Sequence, residues 1–82
     1  MNNMTEIFRL LSEVFRNVFD ESEVVISRET SAKDVPQWDS LMHVALIINV
    51  EKAFGVRFLS SEVAGLQNLG ELADLIEAKL KS

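Results

Sequence analysis

The sequence predicts an all-α protein, a small four-helix bundle with three main helices, one short third helix and a long first loop. Apolar residues recur every three or four positions in three segments, which is the period of an α-helix. The one candidate strand, residues 24–26, has no second strand to pair with. The chain has 82 residues, so we expect a single domain over residues 1–82.

The first predicted helix covers residues 4–19, where the apolar side chains form one stripe. Asn3 or Thr5, which are both suitable cap residues, can start this helix. We therefore expect one face of the helix to lie in the core and the other to face water.

Residues 20–39 form the long first loop, because no period is sustained across them. Such a length is unusual in a compact domain and indicates either a hidden element or a function. Pro36 is the only proline, and it biases Val35 away from helix, so residues 34–36 are predicted to form a turn. We expect residues 24–26 to be extended, with their side chains tucked under the helices.

The remaining helices are bounded by stop and cap residues. The second helix covers residues 40–54 and ends before Gly55. Residues 60–64 are predicted to form a short helix with a serine cap. The last helix follows Asn68, which forms a capping-box pattern with Glu71 three positions on.

The second helix is apolar on two sides, unlike the first. On a helical wheel, the side assigned to the core carries His43, Leu46, Ile47, Val50 and Phe54. The opposite side carries Leu41, Val44, Ala45, Ile48 and Lys52, with Met42 at its flank. A helix that is apolar nearly all round is either buried or presents a binding surface. Either the long loop covers part of this second side, or the side is a docking surface for partner proteins.

The composition excludes several classes of function. Thirteen acidic and eight basic residues give a net charge of −5, so we expect no nucleic-acid partner. One histidine and no cysteine leave too few of the usual ligands for a metal site. The longest apolar run, residues 44–48, is too short to cross a bilayer, and the first residues lack a signal-peptide pattern. We expect a cytoplasmic monomer that does not insert into membranes.

Residues 38–41 (WDSL) are the strongest local signal for chemistry, because they lie where the long loop ends and the second helix begins. A phosphate ester on the Ser40 hydroxyl would face unpaired amides and the positive end of the helix dipole. The adjacent Asp39 can bind a divalent metal brought by a modifying enzyme. Serine and aspartate are also the commonest helix caps, so these two residues alone do not require a function.

A hydrolytic triad of Ser40, His43 and Asp39 can be drawn, since His43 lies about one turn along from Ser40. A triad also needs an oriented base and a prepared oxyanion site, which adjacent residues at one helix tip do not easily supply. A chain this short has little room for a substrate cavity. We therefore predict no enzymatic activity and expect His43 to be packed or partly buried.

Three segments resemble the acyl carrier protein family in order and spacing, over essentially the whole chain: residues 34–41 (DVPQWDSL), residues 50–56 (VEKAFGV) and residues 69–76 (LGELADLI). The resemblance implies a four-helix bundle with a long first loop and a short third helix. It also implies that Ser40 receives covalent 4′-phosphopantetheine from coenzyme A. Asp39 would then help a phosphopantetheinyl transferase to hold magnesium, and Leu41 would contact partner enzymes.

The resemblance implies a carrier that delivers acyl thioesters to acyl-activating or acyl-transferring enzymes. We expect these partners to bind Leu41, Met42, Ala45, Ile48 and Lys52. General fatty-acid-synthase members often have acidic residues where Met42 and Ala45 stand, and a small residue where Trp38 stands. These departures indicate a specialised carrier of a dedicated pathway, such as polyketide, lipopeptide or surface-polysaccharide synthesis. A peptidyl or aminoacyl carrier and an unmodified helical adaptor are the alternatives.

Overall fold

The computed structural model describes residues 3–20 and 26–81. Within them lie four α-helices: α1 (Met4–Phe19), α2 (Ser40–Phe54), α3 (Ser60–Ala64) and α4 (Leu69–Lys81). These ranges contain no strand, so the predicted all-α four-helix architecture is confirmed. The prediction of an extended segment at residues 24–26 falls mostly outside the described residues, and Ile26 packs partly buried against the core. None of the described helices has the length and apolar character needed to span a bilayer.

The first helix is amphipathic, as its sequence period predicts. Its buried side chains are Ile7, Leu11, Val14, Phe15 and Phe19. Asn3 is the cap, because its Oδ1 accepts a hydrogen bond from the Glu6 amide at 2.8 Å. Asp20 ends the helix in the left-handed conformation, which aspartate tolerates better than most residues.

The core is built by α1, α2, α4 and the end of the long loop. The largest side chains from all four that are less than 2% exposed are Ile7, Leu11, Phe15, Val35, Leu46, Val50, Leu69, Leu72 and Ile76. The core side predicted for α2 is confirmed, with Leu46, Ile47 and Val50 buried and Phe54 half-buried. α1 packs against both α2 and α4, so it joins the two halves of the bundle.

The N-terminus of α4 holds the long loop in place. The amides of Leu69 and Gly70 donate to the carbonyl oxygens of Thr30 and Arg28, both at 2.9 Å. Arg28 Nη2 also pairs with Asp74 Oδ2 at 2.9 Å. This approach requires a glycine, because a Cβ on Gly70 would lie 2.9 Å from Arg28 Cβ and 3.0 Å from its carbonyl oxygen.

The short helix α3 is capped differently from the prediction. Because α3 begins at Ser60, its cap residue is Leu59, and the predicted serine cap is wrong. The carboxylate of Glu62 replaces it: Oε1 accepts from the Leu59 amide at 2.7 Å, and Oε2 pairs with Lys79 of α4 at 2.9 Å. The backbone hydrogen bond from Leu59, followed by that from Lys79, lowers the pKa of the Glu62 carboxyl.

The capping residues predicted before α4 both act at its start. Asn68 Oδ1 accepts from the Glu71 amide at 2.8 Å. Glu71 Oε1 accepts from the Gln67 amide at 2.8 Å, so the returning carboxylate binds one residue earlier than in a standard capping box.

Candidate functional site

Ser40 is the first residue of α2 and is exposed. The chain reaches this position because Val35 and Trp38, both buried, fix the end of the long loop against the core. Among the residues that the structure describes, the Ser40 hydroxyl has no hydrogen-bond partner. It is therefore free to be modified by an incoming protein.

The first turn of α2 suits an anionic group on Ser40. No acidic residue lies within that turn, and the amides of Ser40 and Leu41 find no acceptor in the described part of the chain. Unpaired amides and the positive end of the helix dipole both stabilise a phosphate. The cap residue Asp39, directly before this turn, places a carboxylate beside Ser40.

Asp39 uses one carboxylate oxygen for the fold. Its Oδ1 accepts from the Met42 amide at 2.9 Å, and its carbonyl oxygen accepts from the His43 amide at 2.8 Å. No described residue hydrogen-bonds to Oδ2. The exposed carboxylate thus keeps an oxygen that a cation held by another protein can reach.

The residues predicted to bind partners fall into two groups. Leu41 is 77% exposed and Ile48 is 45% exposed, and Lys52 is also exposed. Met42 and Ala45 are half-buried, and Met42 packs against the core. Val44 is 55% exposed on the same helix. The described loop residues therefore leave this apolar side of α2 open to solvent.

His43 is half-buried between three elements, as expected for a packed histidine. The indole Nε1–H of Trp38 donates to His43 Nδ1 at 3.1 Å. His43 Nε2 lies 3.1 Å from the carbonyl oxygen of Val63 in α3 and donates to it, because Nδ1 is already an acceptor. Both ring nitrogens are thus occupied by structural contacts, and neither is free to serve as a base for Ser40.

A groove of about 470 Å³ opens beside Ser40. Its lining residues are Ala32, Trp38, Asp39, Ser40, His43, Ala64, Leu66 and Gln67. The sequence analysis did not find the contributions of Ala32, Ala64, Leu66 and Gln67. They come from the long loop, from the last residue of α3 and from the connection after it, and no periodic pattern marks them as neighbours of Ser40.

The site thus combines an exposed serine hydroxyl at an open helix end with an exposed apolar side of the same helix. The structure is similar to the solution NMR structure of the holo acyl carrier protein from Geobacter metallireducens, with a TM-score of 0.83 and 44% sequence identity. The match covers 89% of this chain and 84% of that one. No family model matches the sequence.

The chain belongs to the acyl carrier protein family. Members of this family are carriers and not enzymes, and their prosthetic group is covalently attached 4′-phosphopantetheine. The family resemblance stated from the three sequence segments is therefore confirmed. The residues at the open end of α2 fit such a group, since they combine a free hydroxyl, unpaired amides and an adjoining groove.

Proposed function

We propose that this protein carries acyl intermediates as thioesters on 4′-phosphopantetheine attached to Ser40, and that it delivers them to partner enzymes. The single observation that carries this proposal is the exposed Ser40 hydroxyl, which has no partner among the described residues and stands in the first turn of α2. The similarity to a holo acyl carrier protein supports it.

The chain's own residues have three tasks in this function. Ser40 supplies the oxygen of the phosphodiester, and the terminal thiol of the arm holds the acyl group. The first-turn amides of α2 stabilise the phosphate charge. Asp39 orients the turn through Oδ1 and offers Oδ2 to the magnesium ion of a phosphopantetheinyl transferase.

Mass spectrometry tests the attachment directly. The protein is incubated with coenzyme A and a broad-specificity phosphopantetheinyl transferase, and we expect it to gain one phosphopantetheine. Ser40→Ala should abolish the gain. Ser60→Ala is the matched control, because Ser60 is also exposed and also the first residue of a helix. If the intact chain stays unmodified with several competent transferases, it is an unmodified adaptor that binds through α2.

Asp39→Asn separates the two tasks of Asp39. Asparagine is as good a helix cap as aspartate, so the hydrogen bond to the Met42 amide is kept. The loss of charge should weaken the magnesium contact and slow phosphopantetheine transfer by about 10–100-fold, as for altered metal contacts in general. An unchanged transfer rate would show that Asp39 acts only as a cap.

We further propose that partner enzymes dock on the open side of α2, over Leu41, Ile48 and Lys52, with Met42 and Ala45 at its edge. The exposed apolar area of Leu41 and Ile48 supports this docking site, because burying it against a partner stabilises the complex without charged contacts. Affinity for the acylating partner should therefore change little between low and high salt. A steep loss with added salt would mean that charged contacts dominate.

The absence of an acidic residue from the first turn of α2 supports a dedicated pathway rather than general fatty acid synthesis. Polyketide, lipopeptide and surface-polysaccharide synthesis would each fit such a carrier. Identifying the group attached to protein isolated from its native host separates them. An amino acid on the arm would instead assign the chain as an aminoacyl or peptidyl carrier.

We expect the carrier to act as a cytoplasmic monomer formed by a single domain over residues 1–82. The small buried core and the open side of α2 are compatible with a lone copy that meets its partners transiently. Sedimentation velocity of the apo and holo forms tests this, and a stable dimer would show that a second copy covers α2.

A further inference from the structure

The groove beside Ser40 has a wall that is held by two hydrogen bonds. Trp38 donates to His43, and His43 donates to the Val63 carbonyl oxygen, so the chain of contacts runs from the loop through α2 to α3. The rings of Trp38 and His43 are stacked, with centroids 6.0 Å apart and an interplanar angle of 22°. We call these three residues the bridge.

Aromatic rings of α1 stand behind the bridge. The ring of Phe15 meets Trp38 edge-on at 5.5 Å between centroids, and Phe19 lies 6.1 Å from Trp38. Phe15 is completely buried and Phe19 is nearly so. An alkyl chain directed from Ser40 towards the core past Trp38 therefore meets packed rings rather than an open channel.

Displacing the bridge would expose polar groups that now satisfy each other. The indole N–H and the Val63 carbonyl would lose their partners, and an alkyl chain offers neither a donor nor an acceptor to replace them. The groove in front of the bridge is different, because the carboxylate of Asp39 and the amide of Gln67 line it. Polar groups on a cargo therefore find hydrogen-bond partners in the groove, which the apolar core does not offer.

We propose that the Trp38–His43–Val63 bridge is a specificity device that keeps the cargo in the groove and out of the core, so that this carrier is suited to short, polar acyl groups and not to long alkyl chains. The assignment depends on attachment at Ser40, as proposed above. Trp38 and His43 act as positioning residues in it, and Asp39 and Gln67 provide the contacts to the cargo.

The test is a series of loaded forms that differ only in the acyl group. Acetyl, hydroxybutyryl and octanoyl phosphopantetheine are transferred to Ser40 from the corresponding coenzyme A thioesters, and mass spectrometry confirms complete loading. NMR then follows the Trp38 indole N–H, the Gln67 side-chain amide and the methyl groups of Leu46, Ile47 and Val50, and the thermal unfolding midpoint is measured for each form.

We expect the octanoyl and holo forms to have the same unfolding midpoint and the same core methyl shifts. The hydroxybutyryl form should shift the Gln67 amide and Trp38 indole signals more than the acetyl form does. A midpoint that rises with chain length, together with shifted Leu46 and Ile47 methyl signals, would show that the octanoyl chain enters the core and would overturn the proposal.

A variant of the bridge tests independently whether the bridge keeps the octanoyl chain out of the core. His43→Leu keeps a side chain of similar bulk but removes both hydrogen bonds, and we expect the octanoyl chain to perturb the core methyl groups in this variant only. Gln67→Leu is the matched control, since it changes the groove and leaves the bridge intact. Should His43→Leu not fold, the wild-type series decides alone.

The two proposals fail in different ways. A chain that cannot be loaded at Ser40 would contradict both the proposed function and the role of the bridge. A loaded chain with a buried octanoyl group would contradict only the role of the bridge.

Discussion

The N-termini of α2 and α4 differ in how their unpaired backbone amides are treated. The start of α4 is buried, and loop carbonyl oxygens occupy the amides of Leu69 and Gly70. The start of α2 is exposed, and the amides of Ser40 and Leu41 find no acceptor in the described part of the chain, while Asp39 Oδ1 accepts from the Met42 amide. Both helices begin with the same four orphan amides. One end is closed and serves the fold, while the other stays open, which is what the proposed attachment at Ser40 requires.

The difference shows that the backbone hydrogen bonds between helix and loop lie at the start of α4 and not at the start of α2. The closed end anchors the long loop, and the anchored loop in turn fixes Trp38 and the position of Ser40. An open end at α4 would remove the two backbone hydrogen bonds that hold the loop at Arg28 and Thr30. The closed end of α4 therefore supports the loop that leads to Ser40.

Gly70→Ala should have the largest effect, because it forces the closed end apart. The new Cβ would lie 2.9 Å from Arg28 Cβ and 3.0 Å from the Arg28 carbonyl oxygen. We expect a loss of about 1–3 kcal/mol in unfolding free energy, measured by urea denaturation. Gly65→Ala is the control, since nothing lies within 4 Å of a Cβ added there. Equal stability of the two variants would mean that the loop adapts without cost.

Asp39→Ala acts at the open end and should have a smaller effect on stability. It removes the single side-chain cap of α2, which is worth about 0.5–2 kcal/mol at comparable positions. Asp39→Asn should keep most of that stability. Thermal unfolding of the three proteins checks this order, and an equal loss in both variants would show that charge rather than capping matters for stability.

Arg28→Met separates the stability that the Arg28 side chain contributes at the closed end from the stability that its backbone contributes. The ion pair with Asp74 is about half exposed on both sides, so its loss should cost only about 0.2–1 kcal/mol, and less at high salt. The backbone bond from the Gly70 amide to the Arg28 carbonyl oxygen remains in this variant. A cost as large as that of Gly70→Ala would show that the side chain, and not the close backbone approach, anchors the loop.

The N-terminus of α3 is an intermediate case, closed by its own Glu62. Because the hydrogen bonds from Leu59 and Lys79 lower the pKa of this carboxyl below 4.5, its charged form adds stability at neutral pH. That stability should be lost as the pH falls below 4.5 and passes through the lowered pKa. The difference in unfolding free energy between wild type and Glu62→Gln measures it, and a difference that is constant with pH would exclude this role.

The sequence predicted the helices better than the contacts between elements. Helical period and stop residues define α1 and α2, and the WDSL pattern marks Ser40 because it stands at the start of a helix. The hydrogen bonds from the Leu69 and Gly70 amides to the loop could not be predicted from the pattern of side chains, because backbone carbonyl oxygens accept them. The predicted serine cap of α3 was wrong because Glu62 reaches the Leu59 amide instead.

The candidate site shows the same limit. The helical wheel placed Leu41 and Ile48 on an open side, and the structure leaves both exposed. It did not show that Met42 leans towards the core, because its position at the flank of the wheel fits either side. The bond between Trp38 and His43 joins a loop residue to a helix residue, and no periodicity relates the two.

Trp38 gives the protein a built-in optical reporter. It is the only tryptophan, and the chain has no tyrosine, so its fluorescence arises from one position two residues before Ser40. Its indole is buried against Phe15 and hydrogen-bonded to His43, and its emission depends on both surroundings. Its fluorescence can thus follow release of the loop in real time without a label, and under the proposed function also loading of the arm and entry of a cargo into the groove.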